Sequence, residues 1–210
     1  MRIYNFSAGP SALPIDVLNE MQSELLDWQG LGASAMEISH RSSPITTLHE
    51  QMISDFRELI GIPEDYAVIL SSGGASAHSA FIPLNLLGDC KHADYVVTGA
   101  WSEKTYLEGC RYGQMRIAAH GQMNQYQSIP DVADWHFSSD AAYCHLASNE
   151  TIHGVQFKDF PKTPSPLIAD MSSDILSKPI DITNFGMIYA SSQKNFGPAG
   201  LTLVIIRRDL

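Results

Sequence analysis

The feature that most constrains the fold is an alternation of short apolar runs with segments of helix length. Seven runs have this character: residues 66–70, 95–97, 115–117, 143–146, 167–169, 187–189 and 201–206. Strands that are apolar at consecutive positions are typical of sheets covered on both faces, and intervening helices favour parallel neighbours. The sequence therefore predicts an α/β domain, with a mainly parallel sheet and helices on both faces.

Two amphipathic helices are predicted before the first strand. The first covers residues 14–28, opens with a proline and closes before a glycine. The second covers residues 45–60 and is followed by Gly61, a residue that readily takes the left-handed conformation of a helix C-cap. Residues 158–166 contain three prolines and are predicted to form a surface loop.

Composition narrows the classes of partner. The formal net charge is -10, from 13 Lys+Arg against 23 Asp+Glu, so nucleic acid and anionic membranes are not expected as partners. No apolar run approaches the roughly 18 residues of a membrane span. The three cysteines form no Cys-x-x-Cys pair and the eight histidines show no ligand spacing, so no metal site is predicted. A cytoplasmic location is expected.

Lys194 is the first candidate for chemistry. It lies between the run that begins at residue 187 and a Gly-Pro-Ala-Gly turn at residues 197–200. A lysine amine that is removed from water loses its proton more readily and can form a Schiff base with a carbonyl compound. The alternative is a surface lysine whose aliphatic stem lies along apolar neighbours.

Asp170 follows the run of residues 167–169. This is the end of a parallel strand that delivers side chains to a ligand crevice. A carboxylate at this point can pair with the ring nitrogen of a pyridoxal group, which lets the ring accept electrons. An aspartate in the same position can instead cap a following helix.

Three further features have both a functional and a structural interpretation. The small residues at 72–76 let backbone amides at a helix start, and the Ser76 hydroxyl, approach a phosphate, although an ordinary tight turn explains them too. Trp101 can stack on a flat ring or belong to the core. His40 and Arg41 suit a carboxylate or phosphate, and equally a surface pair before a helix.

These features occur within a series of motifs that resembles the phosphoserine aminotransferase family along nearly the whole chain. The motifs are NFSAGP at 5–10, MEISHR at 36–41, PLNLL at 83–87, NETIHG at 149–154, DMSS at 170–173 and QKNFGPAG at 193–200. The resemblance implies a pyridoxal 5′-phosphate (PLP) enzyme of transferase fold type I, whose large domain has a mainly parallel sheet of mixed strand order with helices on both faces. Residues 1–210 would be an N-terminal arm and the large PLP-binding domain, without the family's small C-terminal domain.

The resemblance also implies an activity. A homodimer would transfer an amino group between L-glutamate and 3-phosphohydroxypyruvate, forming O-phospho-L-serine and 2-oxoglutarate in serine biosynthesis. The resemblance leaves vitamin B6 biosynthesis open as a second pathway for a bacterial member of the family.

By residue, the resemblance implies that Lys194 carries the cofactor and moves a proton, while Asp170 pairs with the ring nitrogen. The other implied contacts are ring stacking by Trp101, phosphate binding by Ala75, Ser76 and Gln193, a bond to the ring hydroxyl region by Thr151, and substrate binding by His40 and Arg41.

Two departures from the family leave alternatives open. The family's arginine for the substrate α-carboxylate and a phosphate-binding loop of the partner subunit correspond to positions beyond residue 210. Ala77 and His78 also follow the phosphate turn where the family often has Gly-Gln or Leu-Gln. A truncated, non-catalytic large-domain fragment is therefore one alternative. Another class-V PLP enzyme, such as a cysteine desulfurase or an alanine–glyoxylate type aminotransferase, is a second.

Overall fold

A seven-stranded sheet organises the computed structural model, which describes residues 2–210. The helices are α1 (Ile15–Glu24), α2 (Ser43–Ile60), α3 (Ala75–Leu86), α4 (Ala100–Gly109) and α5 (Ser192–Asn195). The strands are β1 (Tyr66–Ser72), β2 (His92–Val97), β3 (Gln114–His120), β4 (Cys144–Ala147), β5 (Asn149–Glu150), β6 (Val155–Gln156), β7 (Leu167–Asp170), β8 (Met187–Ser191) and β9 (Leu201–Arg207).

The strand order in the sheet is β1-β9-β8-β7-β4-β2-β3, and β5 pairs with β6 in a separate hairpin. Parallel pairing joins β3, β2, β4, β7 and β8, whereas β9 is antiparallel to both β8 and β1. The connection from Ser191 to Leu201 is shorter than the dozen or so residues that a parallel crossover needs, so β9 must run back beside β8. The predicted mainly parallel sheet of mixed order is confirmed.

The core lies in two layers, one on each face of the sheet. In β8, Ile188 packs into a layer that includes Phe56 of α2, and the next residue, Tyr189, packs into a layer that includes Ile82 of α3. Consecutive residues of the inner strands are buried in this way because both faces are covered. The predicted helices on both faces are therefore confirmed, and the apolar runs have their physical explanation.

The helices before β1 agree only in part with the sequence prediction. The second begins two residues earlier than expected and ends, as predicted, at Ile60, with Gly61 as its C-cap at a φ of 70°. The first ends at Glu24, and none of its residues is buried. Trp28 is buried in a separate short helical turn, so the predicted single helix over residues 14–28 is interrupted after Glu24.

The carboxyl ends of the parallel strands position the candidate residues. Ala147, Asp170 and Tyr189 are register partners across β4, β7 and β8, so their side chains project from the same face. The starts of α3, α4 and α5 follow β1, β2 and β8 after very short connections. Helix starts and strand ends therefore meet at one edge of the sheet, where ligands bind in open α/β folds.

Candidate active site

A cleft opens at this edge of the sheet, with about 660 Å³ of space including the open solvent at its mouth. Six residues predicted from the sequence line it: Ala75, Ser76, Trp101, Asp170, Gln193 and Lys194. The structure thus brings together, on four different elements, residues that lie up to 119 positions apart. Gly74, from the predicted turn at 72–76, also lines the cleft, and residues missed by the sequence reasoning complete the wall: Ser79, Lys104, Thr105, Ala147, Asn149, Ser172 and Ser173.

The amine of Lys194 points across the cleft. Its Nζ donates a hydrogen bond to Thr151 Oγ1 at 2.6 Å and lies 5.0 Å from the centre of the Trp101 ring. Burial lowers the pKa of this amine, and the negative charges of Asp170 and Glu150 oppose the effect only in part. The structure therefore places a lysine with a weakened hold on its proton beside an aromatic face.

Asp170 lies at the end of β7, on the side of the cleft nearest the sheet. Its Oδ1 accepts a hydrogen bond from the Ser172 amide at 2.9 Å. Burial raises the pKa of the carboxyl, while the bonds from Ser172 and the positive charge of Lys194 act in the opposite direction. The interpretation of Asp170 as a helix cap is not needed, since its hydrogen bond supports a turn after β7 and no helix begins there.

Trp101 is oriented by a buried acid that the sequence reasoning missed. The Glu150 carboxylate accepts hydrogen bonds from the amides of Trp101 and Ser102, both at 2.9 Å, and from the Ser102 hydroxyl at 2.5 Å. A side chain at Gly99 would clash with it, because a Cβ there would lie 2.6 Å from Glu150 Cδ. No local pattern signals this contact, since the acid and the start of α4 are far apart in sequence.

The Glu150→Gln variant should have a free energy of unfolding lower by about 1–3 kcal/mol. One carboxylate oxygen becomes an NH₂ group, and a donor then faces a buried backbone N–H that needs an acceptor. Urea unfolding followed by circular dichroism measures the change. Glu103→Gln is the matched control: it lies in the first turn of the same helix and accepts none of the three hydrogen bonds. Equal unfolding midpoints for the two variants would contradict this role of Glu150.

One of the backbone N–H groups at the start of α3 already has a hydrogen-bond acceptor within the chain. The Ala75 amide, one of the predicted phosphate donors, donates to Ser191 Oγ at 2.5 Å, while Ser76 lines the cleft. Gly73 takes a φ of 96° just before this turn, a conformation that favours glycine. A phosphate bound by the Ala75 amide must therefore displace the Ser191 hydroxyl.

The N-terminal arm contacts the lysine segment, a role that the sequence reasoning did not assign to its NFSAGP motif. Ser11 donates through its amide to the Gln193 carbonyl at 2.9 Å and through its hydroxyl to the Lys194 carbonyl at 2.5 Å. A Cβ at Gly9 would lie 2.9 Å from Lys194 Cγ. The arm therefore supports the backbone of Lys194, and glycine at position 9 leaves room for the lysine stem.

His40 and Arg41 are not brought into the cleft. Both are exposed in a turn that precedes α2, and neither lines the cavity between Trp101 and Lys194. Their assignment as substrate-binding residues remains a prediction.

The fold and the site define a class. A lysine just after one strand of a mainly parallel sheet and an aspartate at the end of the adjacent strand face one cleft, as in PLP-dependent transferases of fold type I. The chain is similar to a phosphoserine aminotransferase structure described as showing radiation damage of the Schiff base, with a TM-score of 0.97 and 47% identity, covering 100% of this chain and 59% of that one. It is also similar to a PLP-bound phosphoserine aminotransferase from Trichomonas vaginalis, with a TM-score of 0.95 and 39% identity, covering 99% and 59%.

Residues 3–210 match the sequence profile of the class-V aminotransferases, and the chain belongs to this family. It is 51% identical over 210 residues to the phosphoserine aminotransferase of Laribacter hongkongensis. That match covers 100% of this chain and 58% of the relative. The chain therefore spans little more than half the length of such relatives.

The residues present fit PLP on structural grounds. The Trp101 ring gives a flat aromatic wall, with its Nε1 buried and without a partner among the described residues. Asp170 offers a carboxylate to a ring nitrogen, and the turn at Gly74 and Ala75 is small enough for a phosphate to reach the start of α3. Lys194 supplies an amine within the same cavity.

The lowered pKa of Lys194 predicts that its amine reaches half-maximal acylation at a lower pH than an ordinary lysine. In the cofactor-free chain, its reaction with trace acetic anhydride should reach half its plateau below pH 10.5, the ordinary value for lysine, because only the neutral amine reacts. In Asp170→Asn the midpoint should fall further, since a charge that stabilises the protonated amine is lost. Mass spectrometry of the Lys194 peptide measures it, with the Lys104 peptide as internal reference. A midpoint at or above 10.5 would refute the expectation.

Proposed function

We propose that this chain is the large domain of a phosphoserine aminotransferase that uses PLP to exchange amino groups between L-glutamate and 3-phosphohydroxypyruvate. The products are O-phospho-L-serine and 2-oxoglutarate, and the pathway is serine biosynthesis. The observation that carries the proposal is the Lys194 amine, which is hydrogen-bonded to Thr151 and lies 5.0 Å from the Trp101 ring in a cleft that Asp170 also lines. Relatives of that name at about half identity along the whole chain support the choice of substrates.

The roles of the residues follow from these positions. When bound, PLP supplies a ring that accepts electrons as bonds at the substrate Cα break. Lys194 carries the cofactor and, once its amine is free, takes a proton from the substrate Cα and returns one; its lowered pKa keeps a neutral fraction available for this. Asp170 holds a proton on the ring nitrogen by pairing with it, and Trp101 fixes the plane of the ring.

The remaining cofactor contacts are proposed from the walls of the cleft. Ala75 and Ser76, at the start of α3, and Gln193, beside the lysine, would hold the phosphate, a role supported by their positions in the lining of the cleft. Thr151 is placed to contact the ring hydroxyl region, because its Oγ1 is already within 2.6 Å of the lysine amine. No metal ion is required by these roles.

The proposed substrate binding is linked to the proposed assembly of two chains. His40 and Arg41 would bind the anionic substrate, although in a single chain they lie outside the cleft. They could reach it at a boundary with a second copy or with a further segment. A homodimer is consistent with the apolar side chains of the N-terminal arm. Ile3, Tyr4 and Phe6 are at least 86% exposed in the single chain, and a second subunit would bury them.

Other observations bear on the proposed cytoplasmic location and on the alternative functions. No helix among residues 2–210 is long and apolar enough to cross a membrane. Cys90, Cys110 and Cys144 are all unpaired, and unpaired thiols support the proposed cytoplasmic location.

None of the three cysteines is among the residues that line the cleft, which gives a cysteine desulfurase no support. Vitamin B6 biosynthesis remains a second proposed pathway.

The proposal is tested with the 210-residue chain alone and joined to the remaining segment of the Laribacter relative. We expect the longer polypeptide to bind PLP and to form phosphoserine from glutamate and 3-phosphohydroxypyruvate. The chain alone should bind PLP weakly and show little turnover, because each missing charged hydrogen bond to a ligand costs on the order of 1.5–3 kcal/mol. Visible absorption and phosphoserine release are the measurements. PLP binding without turnover by either polypeptide would favour the non-catalytic alternative.

A further inference from the structure

A second line of buried polar groups lies behind Asp170, away from the cleft. His145 and Tyr189 are both fully buried, and His145 Nε2 lies 2.9 Å from the Tyr189 hydroxyl. Tyr189 is the register partner of Asp170 on the adjacent parallel strand, so both side chains leave the same face of the sheet. None of the roles proposed above uses His145 or Tyr189.

The surroundings of the other ring nitrogen of His145, Nδ1, indicate which group donates in the hydrogen bond between His145 and Tyr189. Nδ1 is buried and has no hydrogen-bond partner among the described residues. Buried N–H groups without an acceptor are rarer than buried acceptors without a donor, so the proton belongs on Nε2. Burial lowers the pKa of His145 to about 3, which keeps the ring neutral. The Nε2–H group must then donate to the Tyr189 oxygen.

The Tyr189 proton therefore needs another acceptor. The hydroxyl of Thr105 donates to the Trp101 carbonyl at 3.0 Å and accepts from Ser79 at 3.3 Å, which leaves it one free lone pair, but a neutral hydroxyl is a weaker acceptor than a carboxylate. Burial, and next the negative charge of Asp170, raise the pKa of the Tyr189 phenol well above its ordinary value. The phenol thus keeps its proton and has the Asp170 carboxylate as its charged neighbour.

We propose that His145 and Tyr189 are positioning residues that form a one-way donor chain, from His145 Nε2–H to the Tyr189 hydroxyl and from that hydroxyl to the Asp170 carboxylate. The chain favours the charged form of Asp170 and so opposes the burial that favours the neutral acid. The inference rests on the proposed function only in that Asp170 is the partner of the cofactor ring. The donor chain itself is a property of the cofactor-free protein.

Other groups also act on these two side chains. Lys194 of α5 favours the ionised form of Asp170, Glu150 of β5 disfavours it, and the amide of Ser172 donates to it. Around Tyr189 lie the ring of His78, stacked at 5.3 Å, and Tyr95. Burial lowers the pKa of His78, so that ring adds little positive charge near neutral pH.

The direction of the chain is tested in the unmodified protein without cofactor. Nitrogen-15 NMR of histidine-labelled protein, with His145 assigned from the His145→Gln spectrum, should show a neutral Nε2–H tautomer down to about pH 4. An Nδ1–H tautomer, or a ring that gains a proton near pH 6, would overturn the proposal. This measurement does not depend on any variant folding or on any activity.

The effect on Asp170 is tested by carbon-13 NMR of its carboxyl group, assigned from Asp170→Asn. In Tyr189→Phe the acid-to-carboxylate ratio at a given pH should rise roughly tenfold, the effect of one hydrogen bond to the charged form. His145→Leu should act in the same direction, and His145→Gln, whose amide can still donate, should restore the wild-type titration.

Tyr143→Phe is the matched control. Tyr143 is a buried tyrosine whose hydroxyl lies 2.9 Å from that of Tyr95, so the variant loses a buried hydroxyl without removing one from the proposed chain. Its Asp170 titration should match that of the unmodified protein. An unchanged titration in Tyr189→Phe, or an equal change in Tyr143→Phe, would overturn the proposal and leave the aminotransferase assignment intact.

Discussion

Replacement of Lys194 by alanine is expected to abolish both covalent attachment of PLP and transamination. In the chain joined to the remaining segment of the Laribacter relative, the turnover rate should fall roughly 10⁴-fold, because the residue is both the point of attachment and the group that moves the proton. Borohydride treatment of the PLP-loaded unmodified protein, followed by peptide mapping, should place the pyridoxyl label on the Lys194 peptide. The same treatment of Lys194→Ala should leave no label above background.

Lys104→Ala is the control for this variant. The Lys104 amine lies 5.8 Å from the centre of the same Trp101 ring and lines the same cleft, so it tests whether any nearby amine suffices. Lys104→Ala should retain the label on Lys194. Label on Lys104 in the unmodified protein would show that the attachment site has been assigned to the wrong lysine.

Asp170→Asn is expected to lower the rate of transamination by roughly 10³-fold, while the fold is retained. The amide has nearly the shape of the carboxylate but no charge, so it cannot keep a proton on the ring nitrogen. Burial that raises the pKa of Asp170 makes the charged state depend on Lys194 and on hydrogen bonds from its neighbours. The rate should therefore respond to this residue more strongly than PLP binding does.

The measurement is the transamination rate of the joined polypeptide at saturating PLP, with cofactor binding determined separately by absorption. Ser173→Ala is a suitable control, because Ser173 lines the cleft in the turn after β7 and its hydroxyl bonds to Asn149 rather than to Asp170. Near-wild-type turnover by Asp170→Asn would remove the proposed role of the carboxylate in catalysis.

Local sequence patterns identified the main strands and the positions of Asp170, at the end of one strand, and Lys194, just after another. Each inner strand is apolar at consecutive positions because both faces are covered, and this signal is present within the strand itself. The antiparallel direction of β9 was not predicted, although the short connection from Ser191 to Leu201 contains the information. Chain direction depends on connection length, which apolar periodicity does not report.

The parts of the site that escaped prediction depend on contacts between distant segments. Glu150 supports the start of α4 from 48 positions away, and Ser11 reaches the carbonyl of Lys194 across 183 positions. Glu150 lies within, and Ser11 directly after, one of the motifs that carry the family resemblance, but no local pattern says what either residue touches, so only the folded chain shows these contacts. The His145 and Tyr189 pair is hidden for the same reason: each is one buried residue in an otherwise ordinary strand.

The pairing of β1 has a consequence for synthesis on the ribosome. β1 has β9 as its neighbour in the sheet, and their register joins Tyr66 to Arg207. About 130 residues of nascent chain must therefore be made before β1 can pair, which takes roughly 7–26 s at 5–20 residues per second. During that interval an unpaired strand edge is open to association with other chains. Chaperone binding to nascent chains should accordingly be strongest between the emergence of β1 and that of β9.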